Sequence, residues 1–343
     1  MYLALYIVSI YVLNKPFNMD NRSLLLYFIA KISVKRVSVT VKFLDKLSPR
    51  KRGIVYLLLS SFSFACMALF INLAGDMPVF QKAFFRNLVA IVMSYIMLAR
   101  SPEKFKIKKG SLPSLFMRAG FGTIGVIANF YAISNTNMSD AMMLNKLSPF
   151  FAMLTSIIVL KEAADGFQWA AILTAIVGAV FVVKPSFLFG TFGISSGSVF
   201  PLVIALIGGI CAGIAYTFLR KATLKGERGI VVVAFFSTFS CIALIPFIIF
   251  TYQPITLLQF FFCVMTGVSA CFGQIFITSA YAACPAKEIS IYDYSTVIFT
   301  ALLGLIVLGE VPDFLSIIGY AIIIGASVLN YLYNNNYLRF KKS

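Results

Sequence analysis

Residues 131–162 read YAISNTNMSDAMMLNKLSPFFAMLTSIIVLKE, and residues 281–310 read YAACPAKEISIYDYSTVIFTALLGLIVLGE. Both begin with a tyrosine and small residues, cross an apolar stretch, and finish on Val-Leu, one spacer and a glutamate. Tyr131 stands 31 residues before Glu162, and Tyr281 stands 29 before Glu310. Self-similarity of this kind marks a duplicated unit, and the apolar runs around it give the unit's size. A helix needs about 20 largely apolar residues to cross the hydrocarbon of a bilayer. Runs of that kind fall near 53–74, 79–99, 112–133, 138–160, 165–184, 198–219, 229–250, 256–283, 288–308 and 313–333. The two copies close the fourth and ninth of these ten runs, so each unit holds five helices. An odd number of crossings turns the second unit upside down, which places Glu162 inside and Glu310 outside.

Composition agrees. Of 343 residues, 60% are apolar and 12% charged, about half the charged fraction of an ordinary soluble domain. That excludes a cytosolic enzyme and a disordered scaffold. The net charge of +17 raises the question of nucleic acid, and its distribution answers it. With a cytoplasmic N-terminus, 24 of the 29 Lys and Arg residues fall in segments on the inside, whereas the outside loops hold Lys184 alone. This is the positive-inside pattern, and nucleic acid is not an expected partner. The fold class expected is an all-α polytopic membrane protein of the cell membrane: ten transmembrane helices in two inverted five-helix repeats, both termini cytoplasmic.

The chain has no histidine, which removes His-based triads, His metal sites and imidazole proton relays. Cys66, Cys211, Cys241, Cys263, Cys271 and Cys284 stand singly in apolar stretches and read as small core hydrophobes. No catalytic set, metal site or cofactor is expected.

Five segments follow: a basic arm over 1–52, a first repeat over 53–184, an outside linker over 185–197, a second repeat over 198–333, and a basic cytoplasmic tail over 334–343. In the arm, ten basic residues surround apolar runs at Met1–Leu13 and Leu24–Ile32, both too short to span. It reads either as an arm lying on anionic lipid or as a start codon placed too far upstream.

Within the two repeats the sequence resembles the EamA-type family of the drug/metabolite transporter superfamily. The resemblance is carried by Phe85-Arg86-Asn87, Phe130-Tyr131-Ala132-Ile133, Leu147-Ser148-Pro149-Phe150 and Lys161-Glu162. Ala215-Tyr216, the stretch from Ile289 to Tyr294, and Gly309-Glu310 carry it in the second half. It covers about 53–333. It implies movement of small organic solutes through a central cavity lined by the first four helices of each half, and it leaves the substrate open among amino acids, sugars, nucleotide derivatives and S-adenosylmethionine.

A charge in hydrocarbon costs several kcal/mol unless it is paired or wet, so ionisable residues inside spans are functional candidates. Lys82 and Lys184 lie near outer helix ends and are expected to snorkel. At about 1.5 Å per residue, Arg86 and Lys146 fall at one level in the outer half. Arg118 and Asp293 fall at another level near the cytoplasmic side. Arg86 and Lys146 then either draw an anionic group of the substrate or, for Arg86, bond helix-end carbonyls or Asp140. Asp293 either carries a coupling proton or pairs with Arg118 as a gate, Arg118 otherwise snorkels to the nearby interface, and a direct Lys146–Asp293 bridge is not expected. Asn87, Asn129, Tyr131, Asn145, Ser148, Tyr216, Gln274, Tyr292 and Tyr294 complete the candidate cavity. Pro149 should bend the fourth span. Small-residue pairs at Ala175/Ala179, Gly209/Gly213 and Ala321/Gly325 are expected at helix contacts within the chain, although a homodimer stays open. Glu162 and Glu310 are expected to be structural, either capping neighbouring helix starts or pairing with basic residues at the interface.

The function expected is a secondary transporter of a small organic metabolite, working by alternating access with proton coupling or exchange. A channel or lipid flippase built on the same bundle is the alternative, and an intramembrane lipid-modifying enzyme ranks behind it. No Walker A motif is present for ATP-driven pumping.

Overall fold

A computed structural model describes residues 47–101, 103, 105–161, 166–184, 199–283 and 289–334. Glu162, Cys284, Lys287, the linker at 185–197, the tail beyond 334 and the arm up to residue 46 lie outside the described residues. Hydrocarbon offers no hydrogen bonds, so a chain crossing it must satisfy its backbone within each segment. The described residues do this as α-helices: α1 (Pro49–Leu73), α2 (Val79–Ala99), α3 (Leu112–Asn135), α4 (Met138–Asn145), α5 (Ser148–Val159), α6 (Gly166–Val183), α7 (Val199–Leu224), α8 (Gly229–Thr251), α9 (Leu257–Ala283), α10 (Ser295–Leu303) and α11 (Phe314–Asn334). Counted as crossings these give ten spans long and apolar enough for a bilayer, and the protein is a multi-pass membrane protein. The fourth span is α4 plus α5. The ninth is a 3₁₀ turn (Ser290–Tyr294), α10 and a π turn (Gly304–Leu308). Large apolar side chains such as Ile158, Phe250, Ile306 and Phe314 point outward, as lipid-facing residues must.

Neither the fourth nor the ninth span is the continuous helix expected from its apolar run. In the fourth, Pro149 is the cause: its ring nitrogen donates nothing to the Asn145 carbonyl one turn back, and the helix restarts at Ser148 with Pro149 in its first turn. In the ninth, no proline is present, and the backbone changes from 3₁₀ to α to π within one crossing. The repeat is visible in backbone detail at the far ends of both spans. Lys161 and Gly309, the spacers before Glu162 and Glu310, both take the left-handed conformation, at φ 56° and 70°.

The packing carries the same relation. α3 lies along α7 and α9 along α1; α5 packs on α7 and α10 on α1; α2 packs on α9 and α8 on α3. Advancing every span by five converts each pair into its counterpart, while α2–α8 and α6–α11 map onto themselves. Two copies related by a two-fold axis produce this pattern, and with five crossings each, the axis lies in the membrane plane.

Small residues sit where helices cross. A Cβ on Gly209 would stand 2.7 Å from the Leu144 carbonyl, and one on Gly213 would stand 2.6 Å from the Phe151 Cβ. This stripe of α7 therefore grips both sides of the break in the fourth span. Ala175 and Ala179 are buried, as expected. Ala321/Gly325 is a correction: Ala321 is exposed and nothing lies within 4 Å of a Cβ on Gly325. The close approach of α6 and α11 is instead made by Gly178 and Gly319, where a Cβ added to either would stand within 3.1 Å of the other's carbonyl. Residue 319 lies two positions before 321, on another face of the helix.

Candidate functional site

The break in the fourth span faces the start of the ninth. Lys146 caps the C-terminus of α4, and Asp293 lies in the 3₁₀ turn. The Lys146 Nζ donates to Asp293 Oδ2 at 2.5 Å, with side chains 12% and 19% exposed. Tyr294 ties the same two breaks together, donating to the Lys146 carbonyl at 3.3 Å and accepting from Ser327. Asp293 thus pairs with Lys146 and not with Arg118. The reason is the two-fold. Counting back from Glu162 and Glu310, Lys146 and Asp293 occupy nearly equivalent positions, and such residues meet only close to the axis, at mid-membrane. Depths counted from the ends of apolar runs missed this because neither span is one straight helix.

Arg118 does something else. It lies six residues into α3, and snorkelling would carry its side chain back toward the near helix end. The guanidinium instead extends over Gly122, where an added Cβ would collide with Nη1 of Arg118 and sit 2.9 Å from Cε2 of Phe236. Its carbon stands 4.5 Å from the centroid of the Phe236 ring. Arg86, from α2, approaches the same ring at 5.7 Å. Arg86 and Phe236 are themselves repeat partners, each seven residues past the start of its helix at Val79 and Gly229, in the self-paired α2–α8 contact.

The polar bonds around this ring are few. Arg86 is 8% exposed, donates to Asn87 Oδ1 at 2.7 Å, and leaves Nε without an acceptor. It does not bond Asp140, whose carboxylate accepts from Tyr320 at 2.5 Å. Arg118 donates no hydrogen bond and joins no ion pair among the described residues, and its Nε is buried without an acceptor. Asn87 Nδ2, Ser237 Oγ, Asn129 Oδ1 and Asp293 Oδ1 are likewise buried without partners. Tyr216 stands among these groups: Arg118, Asp293 and Arg86 are the charges acting on its hydroxyl, yet its side chain is 46% accessible. Tyr216 is thus accessible while within reach of all three charges.

Arg86, Asn87, Arg118, Lys146, Tyr216 and Asp293 are thus brought to one region, with Tyr294 as its structural tie. The other candidates stand differently. Asn129 lies at the α3–α7 crossing, Tyr131 packs edge-on against Phe200 at 6.1 Å, Ser148 is buried in the first turn of α5, and Gln274 is exposed on α9. Asn145 is half-buried beside the break, and Tyr292 is 36% exposed. Phe236, Ser237 and Gly122 are the residues that sequence reasoning missed. The signal for Phe236 lay in the repeat register that pairs it with Arg86.

Lys82 is a further correction. It is 2% exposed and donates to the Ile71 and Gly75 carbonyls at 3.0 and 2.7 Å, and to Ser134 at 2.9 Å, closing the C-terminus of α1. Lys184 pairs with Asp313 at 2.5 Å instead of snorkelling. Burial pushes the Asp313 carboxyl upward, but the Lys184 ammonium and the Ser316 N–H outweigh it and hold the group below the usual carboxylate range. Glu310 accepts from the Met138 N–H at 2.8 Å, capping the start of α4 as expected. Burial raises its carboxyl despite that bond. At the opposite end of the bundle Glu227 accepts from the Lys108 N–H and the Ser111 hydroxyl. Among the described residues no group of three or more His, Cys, Asp or Glu side chains is placed to hold a metal ion.

A family model described as the EamA-like transporter family matches residues 51–184 and again 199–332. The chain belongs to this family. Within the curated proteins, the pseudopaline exporter CntI of Pseudomonas aeruginosa is 28% identical over 280 residues, covering 81% of this chain and 95% of the relative. Solute carrier family 35 member G1 of Mus musculus is 27% identical over 296 residues, covering 82% and 79%. An uncharacterized transporter of Helicobacter pylori is 24% identical over 285 residues. A solved crystal structure superposes with a TM-score of 0.55 at 16% identity, over 84% of this chain and 99% of its own, and shares the fold. The named relatives are transporters, and this EamA-like chain is a membrane transporter.

Proposed function

We propose that this EamA-like protein is a secondary carrier that moves a small organic metabolite across the cell membrane by alternating access. The two repeats, 53–184 and 198–333, rock about a chamber at their crossing, lined by Tyr216 and the charges around it. The observation that carries this reading is the set of buried polar groups without partners around Tyr216, placed on the two-fold where both broken spans meet. Unsatisfied donors at mid-membrane are costly, and a solute that satisfies them recovers that cost. Broken spans at the repeat interface are the usual seat of such a site. Lys146–Asp293 is the coupling or gating pair, and Arg86, Asn87, Arg118 and Tyr216 line the chamber.

The orientation follows from charge. The end of the bundle where α1 begins carries Arg50, Lys51, Arg52, Arg100, Lys106, Lys108, Lys109, Lys161, Lys225 and Arg228, whereas Lys82 and Lys184 at the other end are buried in hydrogen bonds. We infer that this end is cytoplasmic, and with it the start of α1 and the end of α11.

The test is exchange from proteoliposomes loaded with an equimolar panel of small organic acids, amines, amino acids and sugars, followed by mass spectrometry. Saturable, protein-dependent exchange of any member supports the carrier. Flux that rises linearly with concentration without saturation would show a channel instead, and turnover of a lipid would show an enzyme.

A further inference from the structure

We infer that the chamber takes a small organic dianion, with Arg86 and Arg118 each holding one negative end across the Phe236 ring. This rests on the carrier reading and names its substrate class.

Three observations carry it. The first is a contrast between inward cations of one molecule, of which Lys82 and Arg86 are buried and Arg118 is half-buried. Lys82, at 2% exposure, satisfies its ammonium with three acceptors and so has a structural account. Arg118 has no acceptor at all among the described residues, and Arg86 has one, the neutral amide of Asn87. An aromatic face offsets only part of the cost of burying a guanidinium, and here a single ring serves two of them.

The second is the charge count. Lys146 and Asp293 cancel each other at 2.5 Å, so Asp293 is not free to neutralise either arginine. The remaining charge on the chamber is that of two guanidiniums, whose carbons can be no farther apart than the sum of their distances to one ring centroid. Arg86 is among the charges acting on Arg118. A dianion cancels that charge, a monoanion leaves half of it, and a cation adds to it.

The third is direction. Arg118 turns away from its near helix end, and Gly122 leaves the room that lets it do so. A long cation that turns toward the middle of the membrane, half-buried and with its Nε lacking an acceptor, is positioned for a ligand there. Planar forks of N–H donors suit a carboxylate or a phosphate equally. The shared chemistry is therefore a compact solute with two negative charges, either two carboxylates or one phosphate ester.

The probes are linear dicarboxylates of four to seven carbons and glycerol 3-phosphate, set against monocarboxylates and diamines of the same lengths. Binding is read as a thermal shift of the purified protein in detergent, and exchange is read in proteoliposomes. Dianions are expected to bind at least about tenfold more tightly than monocarboxylates of equal length, and diamines not to bind. Preference for the phosphate over every dicarboxylate, or the reverse, identifies which source of the double charge the chamber accepts. Arg118→Gln should weaken dianion binding about tenfold or more while changing monocarboxylate binding less than about threefold. Because Arg118 makes no hydrogen bond among the described residues, that variant unmakes none there, and Arg118→Lys should recover part of the affinity. Monocarboxylates or diamines binding as well as dianions would overturn the inference, as would dianion binding indifferent to Arg118→Gln in a folded, monodisperse protein. Saturable exchange of sugars or amines with no dianion binding sinks the dianion and leaves the carrier standing. Dianion binding without exchange of any solute sinks the carrier and leaves the site.

Discussion

Removing Lys146 strands the Asp293 carboxylate among buried groups, since Oδ1 already lacks a donor and Oδ2 would lose its only one. Breaking a buried ion pair from one side costs about 3–5 kcal/mol, most of it the penalty of the charge left behind. Lys146→Ala and Asp293→Ala should therefore each lower the unfolding temperature in detergent and abolish exchange. The swapped protein, Lys146→Asp with Asp293→Lys, should recover more than half of the lost stability, because the two positions are nearly equivalent across the axis. A swap no better than the worse single variant would show that the pair is not the tie between the two breaks. At this scale the sequence singled out Lys146, Arg118 and Asp293 by type and mispaired them. Ionisable residues inside spans stand out by type alone. A long side chain, though, can reach toward either end of its helix, and Lys82, Arg118 and Lys184 all made the choice that helix depth does not reveal.

Gly213 and Gly325 belong to the same kind of small-residue pattern and have opposite surroundings, which makes them a controlled comparison between helices. A Cβ on Gly213 meets Ala152 N at 2.7 Å as well as Phe151, and backbone there has nowhere to retreat. Gly213→Ala should cost about 1–3 kcal/mol by overpacking α7 against the restart of the fourth span. Gly325→Ala, in open space, should be neutral or raise stability by up to about 1 kcal/mol through helix propensity. Thermal unfolding of both variants in one detergent checks this, and equal losses would contradict the packing of α7 on α5. Elements were legible where a single residue dictates the backbone: Pro149 announces the break beside Lys146. The ninth span carries no such residue, and its 3₁₀ and π turns are imposed by what surrounds it. Tyr294 bonds the Lys146 carbonyl, Ser61 donates to the Asp293 carbonyl, and Gly309 closes the end with its N–H on the Gly304 carbonyl. None of those partners is nearby in sequence except Gly304, so periodicity could not show them.

For the molecule as a whole, the two-fold does the work that charge or motif alone could not. It turns one list of helix contacts into its own image, sets Lys161 and Gly309 in the same left-handed conformation, and brings two half-helices to a common level where a bridge can form. It follows that corresponding points of the two halves lie on opposite sides of the membrane. In a background with the six cysteines replaced, Lys161→Cys and Val311→Cys place thiols at exposed positions beside the two equivalent turns. An impermeant maleimide added to intact cells should label the cysteine at 311 and reach that at 161 only after the membrane is opened. The direction of that asymmetry tests the charge-based orientation: reversed labelling would place the termini outside while keeping the halves inverted. Labelling of both from one side would break the two-fold itself, and the meeting of Lys146 with Asp293 at mid-membrane would lose its explanation.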